Sequence, residues 1–445
     1  MIADARRLVV LDDDPTGTQT VTDIPVLTRW GRDDLRWALA QGGPGFFVLT
    51  NTRSLGPDGA AARTREVAEA CLDAADEAGI DVSFASRSDS TLRGHFPLET
   101  DVLAEVLASR GRPVDGVLLV PAYVDAGRIT VDGVHLVAAG DGFQPVGESE
   151  FAADATFGYR SSRLADWVAE KSGRPVPTTE LPLAVVRGDP EELRRRMDGT
   201  GVLIPDVVTD DDLRAVAVAV LAAERDGRRF LYRVGPSFVR ARLGQAAEPP
   251  IDDARLAALV DRGAPGLIVV GSHVGRTTRQ LDRLRARRGF AGVELEVAAV
   301  VEDLERAVAT TRDRLLAAES AGLVVLSTSR TRITGADASE SLGIARRVSA
   351  ALSAVVAEAV ERRRPGFVVA KGGITSSDTA TEALGIRRAW ARGTLLPGIV
   401  SLWEAVEGPA TGLPYIVFAG NVGDDESLAD VVDRLAGPEE GGGAA

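Results

Sequence analysis

Short apolar segments alternate with longer Ala-, Arg- and Glu-rich segments along nearly the whole of this 445-residue chain. The apolar segments have the length of buried strands, and the longer segments have the composition of helices. Such an alternation predicts an α/β protein with largely parallel sheets flanked by helices. The predicted strands are 8–13, 45–50, 80–86, 115–120, 202–208, 230–234, 267–271, 293–297, 323–328, 367–371 and 415–419. The predicted helices are 58–78, 97–110, 161–171, 190–198, 210–226, 276–288, 301–319, 339–363 and 424–436.

The alternation is interrupted at two places. In residues 130–137, Asp132-Gly133 stands between β-branched residues and predicts a tight hairpin. Residues 244–265 contain Pro and Gly clusters and separate two series of strands and helices. We therefore expect two domains, 1–245 and 264–436. The Gly-, Ala- and Glu-rich segment 437–445 is predicted to be a disordered tail.

Composition excludes several classes of function. A formal net charge of −14 argues against a nucleic-acid or anionic-membrane partner, so an anionic substrate must be held by local arginines. The single cysteine, Cys71, excludes an intrachain disulfide and a cysteine-based metal site. The first residues lead directly into a strand, and no apolar stretch is long enough to span a membrane. We expect a cytoplasmic protein, and a homodimer is compatible with the sequence.

The first predicted strand ends in an acidic run, Asp12-Asp13-Asp14, followed by Pro15 and a Thr-Gly-Thr segment. Adjacent carboxylates repel each other and raise each other's pKa, so holding three together is costly. Acids, hydroxyls and a glycine turn at the carboxyl end of a strand suit a polar ligand, a metal ion or both. The alternative is a solvated turn in which an aspartate caps the backbone.

Two further predicted strands end in polar residues that complement the acidic run. Arg53 follows the second strand, and Arg87, Asp89 and Ser90 follow the third. Each arginine can hold a carboxylate through two parallel hydrogen bonds, and Asp89 and Ser90 can bind sugar-type hydroxyls. Arg128 follows the next strand and offers another contact for an anion. Arginines that form ion pairs within loops are the alternative for either cluster.

The second half contains three strand ends rich in glycine. In each, a strand runs into Gly with hydroxyl or amide residues and then into a helix: 269–278, 368–378 and 417–425. Glycine allows close approach to backbone N–H groups, which suits phosphate oxygens. We therefore prefer a nucleotide site, although neither G-x-x-x-x-G-K-[ST] nor an initial G-x-G-x-x-G is present. Lys371, one of two lysines, precedes the second of these loops and is a candidate for phosphate contact or structural support.

Taken together, these segments resemble the four-carbon acid sugar kinase family, which includes D-threonate, D-erythronate and 3-oxo-tetronate kinases. The resemblance covers nearly the whole chain in order. The matching motifs are Asp13–Gly17, Arg87–Gly94, Gly127–Gly133, Gly271-Ser272, Gly372–Thr375 and Gly420–Gly423. The chain departs from the family pattern at His273-Val274, Ile374 and Phe418-Ala419, which suggests a subgroup with a different substrate.

The resemblance implies a two-domain kinase whose N-terminal domain holds a sugar acid and whose C-terminal domain holds ATP with Mg²⁺, with the active site in the cleft between them. The γ-phosphoryl group would pass to a terminal hydroxyl of the acid. Of Asp13 and Asp14, one would accept the hydroxyl proton and the other would hold the substrate or Mg²⁺. The implied substrate-binding residues are Thr16, Arg53, Arg87, Asp89, Ser90 and Arg128. The implied nucleotide-binding residues are Ser272, Gly372, Gly373, Ile374, Thr375, Gly420, Asn421 and Gly423.

Three alternatives stay open at this point. One is a kinase for a different or branched sugar acid, such as a 3-oxo-isoapionate-like acid. Another is a sensor of nucleotide or sugar acid without turnover, which the intact acidic and arginine motifs disfavour. The third, a metal-dependent aldolase or isomerase, could use the acidic run but would leave the three glycine loops without a purpose.

Overall fold

The computed structural model describes residues 6–198, 200–271, 275–329, 338–420 and 422–437. The chain divides into two compact units, Met1–Glu248 and Pro249–Ala445, called here unit 1 and unit 2. Within the described ranges, no helix is both long enough and apolar enough to cross a lipid bilayer.

Unit 1 contains a parallel sheet and a small antiparallel one. Its strands are β1 (Arg7–Asp12), β2 (Ile24–Leu27), β3 (Gly45–Leu49), β4 (Val82–Arg87), β5 (Gly116–Val120), β6 (Arg128–Val131), β7 (Val134–Ala139), β8 (Gly142–Pro145), β9 (Thr178–Leu181), β10 (Gly201–Pro205) and β11 (Phe230–Val234). The parallel sheet has the order β2-β3-β1-β4-β11-β5-β10-β9. Four of its strands, β1, β3, β5 and β10, are nearly continuous apolar runs, as expected for a sheet covered on both faces.

The helices of unit 1 connect these strands and cover the sheet. They are α1 (Arg32–Ala40), α2 (Pro57–Ala78), α3 (Leu98–Ser109), α4 (Leu164–Ser172), α5 (Leu183–Val186), α6 (Pro190–Arg196), α7 (Asp210–Arg225) and α8 (Pro236–Arg242). One core cluster joins α2 and α3 to β1, β3 and β4 through residues such as Val9, Val48, Leu72 and Leu103. α7 begins at a capping box between Thr209 and Asp212, which satisfies backbone N–H groups of its first turn.

The small sheet confirms the predicted hairpin. β6 pairs with β7 in antiparallel register, and Asp132 and Gly133 form the connecting turn. Their φ angles of 50° and 73° are those of a two-residue hairpin turn, in which both central residues are left-handed.

Unit 2 contains a second, mainly parallel sheet. Its strands are β12 (Gly266–Val270), β13 (Ala291–Leu295), β14 (Leu323–Thr328), β15 (Phe367–Lys371), β16 (Arg388–Leu396), β17 (Ile399–Ala405) and β18 (Pro414–Phe418). They follow the order β13-β14-β12-β15-β18-β17-β16, and β16 and β17 are antiparallel to their neighbours. The helices are α9 (Asp253–Leu259), α10 (Gly275–Arg287), α11 (Val297–Glu302), α12 (Leu304–Ala318), α13 (Ala338–Arg362), α14 (Gly373–Asp378) and α15 (Ser427–Ala436).

The predicted fold class is confirmed, and each predicted strand and helix overlaps an observed one. Four strands of the two main sheets were not predicted from the sequence: β2, β9, β16 and β17. β2 and β9 are only four residues long, and Arg and Gly residues interrupt the apolar pattern of β16. Of the segment expected to be a disordered tail, residues 438–445 lie outside the described ranges.

Candidate functional site

The strand order of unit 1 places β1 at a topological switch point. β1 pairs with β3 on one side and with β4 on the other, so the chain crosses β1 on its way from β3 to β4. Ligands of open α/β sheets bind in the crevice outside the carboxyl ends of strands at such a point. The acidic run begins at the last residue of β1, Asp12, and therefore lies at this crevice.

Arg87 anchors the acidic run from the end of β4. Its guanidinium group donates to Asp12 through Nε and Nη2, and Nη2 also lies 3.0 Å from Asp14 Oδ1. Both Arg87 and Asp12 have only 2% of their side chains exposed. A Cβ atom on Gly17 would collide with this ion pair, so only glycine fits there.

Arg53, in the loop after β3, binds the other two carboxylates of the acidic run, Asp13 and Asp14. Its Nε and Nη2 atoms donate to the two carboxylate oxygens of Asp13 at 3.0 and 2.5 Å. Its Nη1 donates to Asp14 Oδ2 at 2.5 Å. The Arg53 side chain is 18% exposed and therefore accessible to solvent, whereas the Arg87 side chain is buried. The backbone N–H of Arg53 donates to the Asp13 carbonyl, which fixes the loop on β1.

The three carboxyl groups differ in acidity. Burial raises the pKa of Asp12 to about 8 and also raises the pKa of Asp13 above its ordinary value. Burial acts on Asp14 in the same sense, but Arg53 and Arg87 outweigh it and hold the pKa of Asp14 below its ordinary value. Asp14 is therefore the most acidic of the three carboxyl groups, and Asp12 and Asp13 hold a proton more tightly than an ordinary aspartate.

Asp12, Asp13 and Asp14 also form a candidate metal-binding group, because one oxygen from each lies within 4.8 Å of the others. Carboxylate oxygens suit Mg²⁺ chemically. However, each of the three carboxyl groups already accepts hydrogen bonds from Arg53 or Arg87. A divalent ion does not fit this arrangement, since it would have to displace a guanidinium group.

Asp14 has a second role in the backbone. Its side chain accepts hydrogen bonds from the backbone N–H and the hydroxyl of Thr16, capping the 3₁₀ turn Pro15–Thr20. The capping aspartate considered in the sequence analysis is therefore present, but it is largely buried and ion-paired. Thr16 joins the cluster through this contact.

Asp89 and Ser90 lie in the loop after β4. Asp89 accepts from Arg93 Nε at 2.6 Å and from the Thr91 hydroxyl; Arg93 and Arg53 overcome the effect of burial and lower its pKa. Ser90 is buried, and its carbonyl accepts from His135 Nε2 at 2.7 Å. Because a carbonyl can only accept, that nitrogen carries the proton of His135, and burial lowers the pKa of His135 to about 4. His135 is thus a neutral core residue that supports the loop.

Arg128 occupies a different position from Arg53. It is the first residue of β6, and its guanidinium carbon lies 5.7 Å from the centre of the Tyr123 ring. The hydroxyl of Tyr123 donates to Gln19 Oε1 at 2.6 Å, which connects this ring to the turn after the acidic run.

A buried network beneath the acidic run was missed by the sequence analysis. Glu99, in the first turn of α3, accepts from the hydroxyls of Thr52 and Ser86 at 2.5 and 2.7 Å. It also accepts from Arg233 Nη1 at 2.6 Å. The one available signal was Arg233 itself, a charged residue within the apolar strand β11.

Unit 2 has its own switch point at β12, which pairs with β14 on one side and β15 on the other. At the end of β12, a Cβ atom on Gly271 would collide with the Thr375 hydroxyl, so the two loops approach closely there. Gly372, after β15, has φ 121° and ψ 149°, a conformation open essentially only to glycine. Gly373 begins α14, and the neighbouring Ile374 is 60% exposed.

Lys371 is fully buried at the end of β15. Its Nζ donates to the Ala419 carbonyl at 2.7 Å and lies 3.6 Å from the centre of the Phe418 ring. Burial, assisted by the nearby charge of Arg276, holds the pKa of Lys371 well below its ordinary value. The amine therefore ties the glycine loop after β15 to the loop after β18.

The third glycine loop follows β18. Gly423 has φ 76°, and a Cβ atom there would meet the Ser427 hydroxyl at 2.5 Å. Gly420 lies in the same loop. Two residues expected to bind nucleotide, Ser272 and Asn421, lie outside the described ranges.

Comparison with known proteins assigns both units to families. Residues 8–242 match a family described as the sugar-binding N-terminal domain, and residues 267–428 match one described as the nucleotide-binding C-terminal domain. D-threonate kinase of Salmonella typhimurium is 27% identical over 443 residues, covering 96% of this chain and 97% of that protein. D-erythronate kinase of Heliobacterium modesticaldum is 28% identical over 285 residues, covering 60% of this chain and 58% of that protein.

Two solved structures share the fold. A Salmonella typhimurium LT2 protein superposes with a TM-score of 0.69 at 16% identity, covering 98% of this chain and all of that one. A Haemophilus influenzae protein superposes with a TM-score of 0.60 at 16% identity, covering 95% of this chain and 99% of that one. At this identity the likeness concerns the fold alone.

Proposed function

Because the chain belongs to the four-carbon acid sugar kinase family, we propose that it phosphorylates a short sugar acid with ATP. The names of its relatives favour a four-carbon acid such as D-threonate or D-erythronate. In the proposed reaction a terminal hydroxyl oxygen of the acid attacks the γ-phosphorus, the bond from that phosphorus to the β–γ bridging oxygen breaks, and ADP leaves. The hydroxyl proton passes to a carboxylate of the protein.

One observation carries this proposal: a basic carboxylate and a solvent-accessible arginine meet at the switch point of unit 1. Arg53 offers a planar pair of donors that matches a carboxylate, and Asp13 lies directly against it. A sugar acid has both a carboxylate and hydroxyls, so its two ends suit these two side chains. Positioning of this kind supplies most of the catalysis in phosphoryl transfer.

We assign the role of proton acceptor to Asp13. Asp12 is bound through Nε and Nη2 of Arg87, whose side chain is buried, whereas Asp13 is bound by the partly exposed Arg53. Asp14 is a weak base because two arginines lower its pKa, and it also caps the following turn. The pKa of Asp13 is raised by burial, which makes Asp13 a stronger base than Asp14.

We assign the substrate carboxylate to Arg53 rather than to Arg87. The nitrogens of both arginines already donate within the cluster, but the Arg53 side chain is 18% exposed and that of Arg87 only 2%, so a ligand from solvent reaches Arg53 more readily. Arg87 then acts as the fixed counter-charge of the acidic run. Asp89 and Ser90 remain candidates for contacts with substrate hydroxyls, and Arg128 for a second anion contact.

We assign the nucleotide to unit 2, on the strength of its family match and its glycine loops. Gly372, Gly373 and Thr375 would approach the phosphates, and Ile374 would offer an exposed apolar contact. Mg²⁺, when bound to the phosphates, would neutralise charge on the β- and γ-phosphoryl groups.

The test is a coupled assay of ADP release from Mg-ATP with a panel of sugar acids. The panel contains D- and L-threonate, D- and L-erythronate, their 3-oxo forms and branched analogues. We expect release with at least one acid, and its loss in Arg53→Ala. Release with a branched acid alone would redefine the substrate, and ATP binding without release for any acid would contradict the kinase.

A further inference from the structure

Arg233 is a buried arginine in which one nitrogen of the guanidinium group has no hydrogen-bond partner among the described residues. It lies in β11, next to Ser86 of β4, and 2% of its side chain is exposed. Nη1 donates to Glu99 Oε2 at 2.6 Å and to Ser86 Oγ at 2.8 Å. Nη2 is buried and has no hydrogen-bond partner among the described residues. Buried polar groups are rarely left unpaired, and a charged one calls for a physical explanation.

The unused nitrogen faces the acidic run. The position that a Cβ atom would occupy on Gly94 is 3.0 Å from Arg233 Nη2 and 3.0 Å from Asp13 Oδ2. Gly94 has φ 122°, a conformation that residues with side chains rarely adopt. Arg233 Nη2 and Asp13 Oδ2, the carboxylate that we assign as proton acceptor, therefore border the same space beside Gly94, which a side chain at that position would fill.

Asp13 is held at present by Arg53, which uses Nε and Nη2 for both of its oxygens. A substrate carboxylate that binds Arg53 competes for those same donors. A buried carboxylate that loses its partner must find another, because an unpaired buried charge is strongly unfavourable. Arg233 Nη2 is a buried donor that is free to serve.

We propose that Arg233 is a positioning residue for Asp13: when the substrate carboxylate engages Arg53, Arg233 Nη2 donates to Asp13 and aims it at the substrate hydroxyl. This inference rests on the proposed kinase function and adds a residue to it. Arg233 itself touches neither the acid nor ATP; it acts through Asp13. Glu99 and Ser86 fix the other arm of Arg233, so Asp13 approaches Nη2 across the space beside Gly94.

Unit 1 contains a matched control. Arg242 is also buried and donates to a buried glutamate, with Nη2 2.7 Å from Glu224 Oε2. Glu224 accepts from Ser83 and Tyr232, much as Glu99 accepts from Thr52 and Ser86. No nitrogen of Arg242, however, is among the buried side-chain atoms of the described residues that have no hydrogen-bond partner, and the pair lies beside Arg6, near the amino ends of β1 and β4.

The test replaces each arginine by lysine, which keeps one positive charge for the glutamate but removes the forked second arm. For Arg233→Lys we expect kcat to fall by about 10- to 100-fold. The KM for the sugar acid and the Kd for ATP should change by less than about threefold, because neither ligand touches Arg233. For Arg242→Lys we expect a loss of melting temperature similar to that of Arg233→Lys. Its kcat, however, should stay within about twofold of that of the unaltered protein.

Equal kcat values in the two variants, with the original protein active, would overturn the role of Arg233 and leave the proposed function standing. Inactivity of the original protein on every acid would overturn both. A second measurement does not depend on the variants folding: a crystal structure of the original protein with its sugar acid. An Nη2–Asp13 distance of about 3 Å supports the inference, and an Nη2 still unpaired in that complex contradicts it.

Discussion

The first four strands of each unit have the same order in the sheet, but different side chains lie at the carboxyl ends of those strands. Unit 1 has the strand order β2-β3-β1-β4, and unit 2 repeats it as β13-β14-β12-β15. In each, the last residue of the central strand pairs in register with a basic residue: Asp12 with Arg87, and Val270 with Lys371. The backbone therefore provides the same crevice twice, and the side chains at the strand ends decide what it can bind.

The difference lies in the partners of the basic residue. Arg87 faces three carboxyl groups, and with Arg53 it forms a nearly neutral cluster that a sugar acid can enter by exchanging partners. Lys371 has a carbonyl and an aromatic ring, and the neighbouring loops carry glycines and hydroxyls. We interpret unit 1 as the part that performs proton transfer and unit 2 as the part that receives an anion.

The largest expected effect comes from Asp13→Asn, which removes the proton acceptor of unit 1. Removing a general base typically lowers kcat by about 10²- to 10⁴-fold. Because the nucleotide is assigned to unit 2, the affinity for ATP should stay within about twofold, and calorimetry measures it. Asp14→Asn is the control, with a smaller loss of kcat expected. Full activity of Asp13→Asn would contradict the interpretation that unit 1 performs the proton transfer.

A smaller effect is expected from Gly372→Ala in unit 2. At φ 121° the new methyl group strains the loop by about 1–3 kcal/mol, and relief of that strain displaces the backbone. We expect the affinity for ATP to fall about tenfold while the affinity for the sugar acid is unchanged. Gly385→Ala is the matched control, since Gly385 also has a positive φ, 59°, with open space around it. An equal loss of ATP affinity in both variants would show that the loop has no special role.

The smallest effect concerns proton linkage at Lys371. Its pKa in the folded protein lies below the value of about 10.4 in an unfolded chain, so unfolding takes up a proton between those two values. The original protein therefore loses stability as the pH falls through that window. The Lys371→Met variant lacks this loss, so the free energy of unfolding of the variant should rise relative to that of the unaltered protein as the pH falls below about 10.4.

Denaturant titrations at several pH values measure this prediction. Lys171→Met is the control, because Lys171 is only partly buried and should show a weaker dependence. Parallel stability curves for the original protein and Lys371→Met would mean that Lys371 is charged in the fold. Lys371 and Arg87 would then both be charged, and the two units would not differ in the charge of the basic residue.

Much of this fold could be predicted from the sequence because its strands are buried on both faces and read as apolar runs. The convergence of the acidic run with Arg53 was also predictable, since the carboxyl ends of parallel strands meet at one edge. The strand order was not, because β11 inserts between β4 and β5 from more than a hundred residues away. Arg233 and Glu99 were missed for that reason. The contact between Arg87 and Asp12 also depends on the register of β1 and β4, which the motif alone does not reveal.

The most direct test of the account is ³¹P nuclear magnetic resonance of a reaction of Mg-ATP with D-threonate or D-erythronate. The account predicts a new phosphomonoester signal coupled to the protons of a terminal carbon of the acid, with ADP formed in equal amount. The same reaction with Asp13→Asn should form both at least about 100-fold more slowly. Inorganic phosphate and ADP without an ester, or an ester formed equally fast by Asp13→Asn, would contradict the proposed kinase reaction.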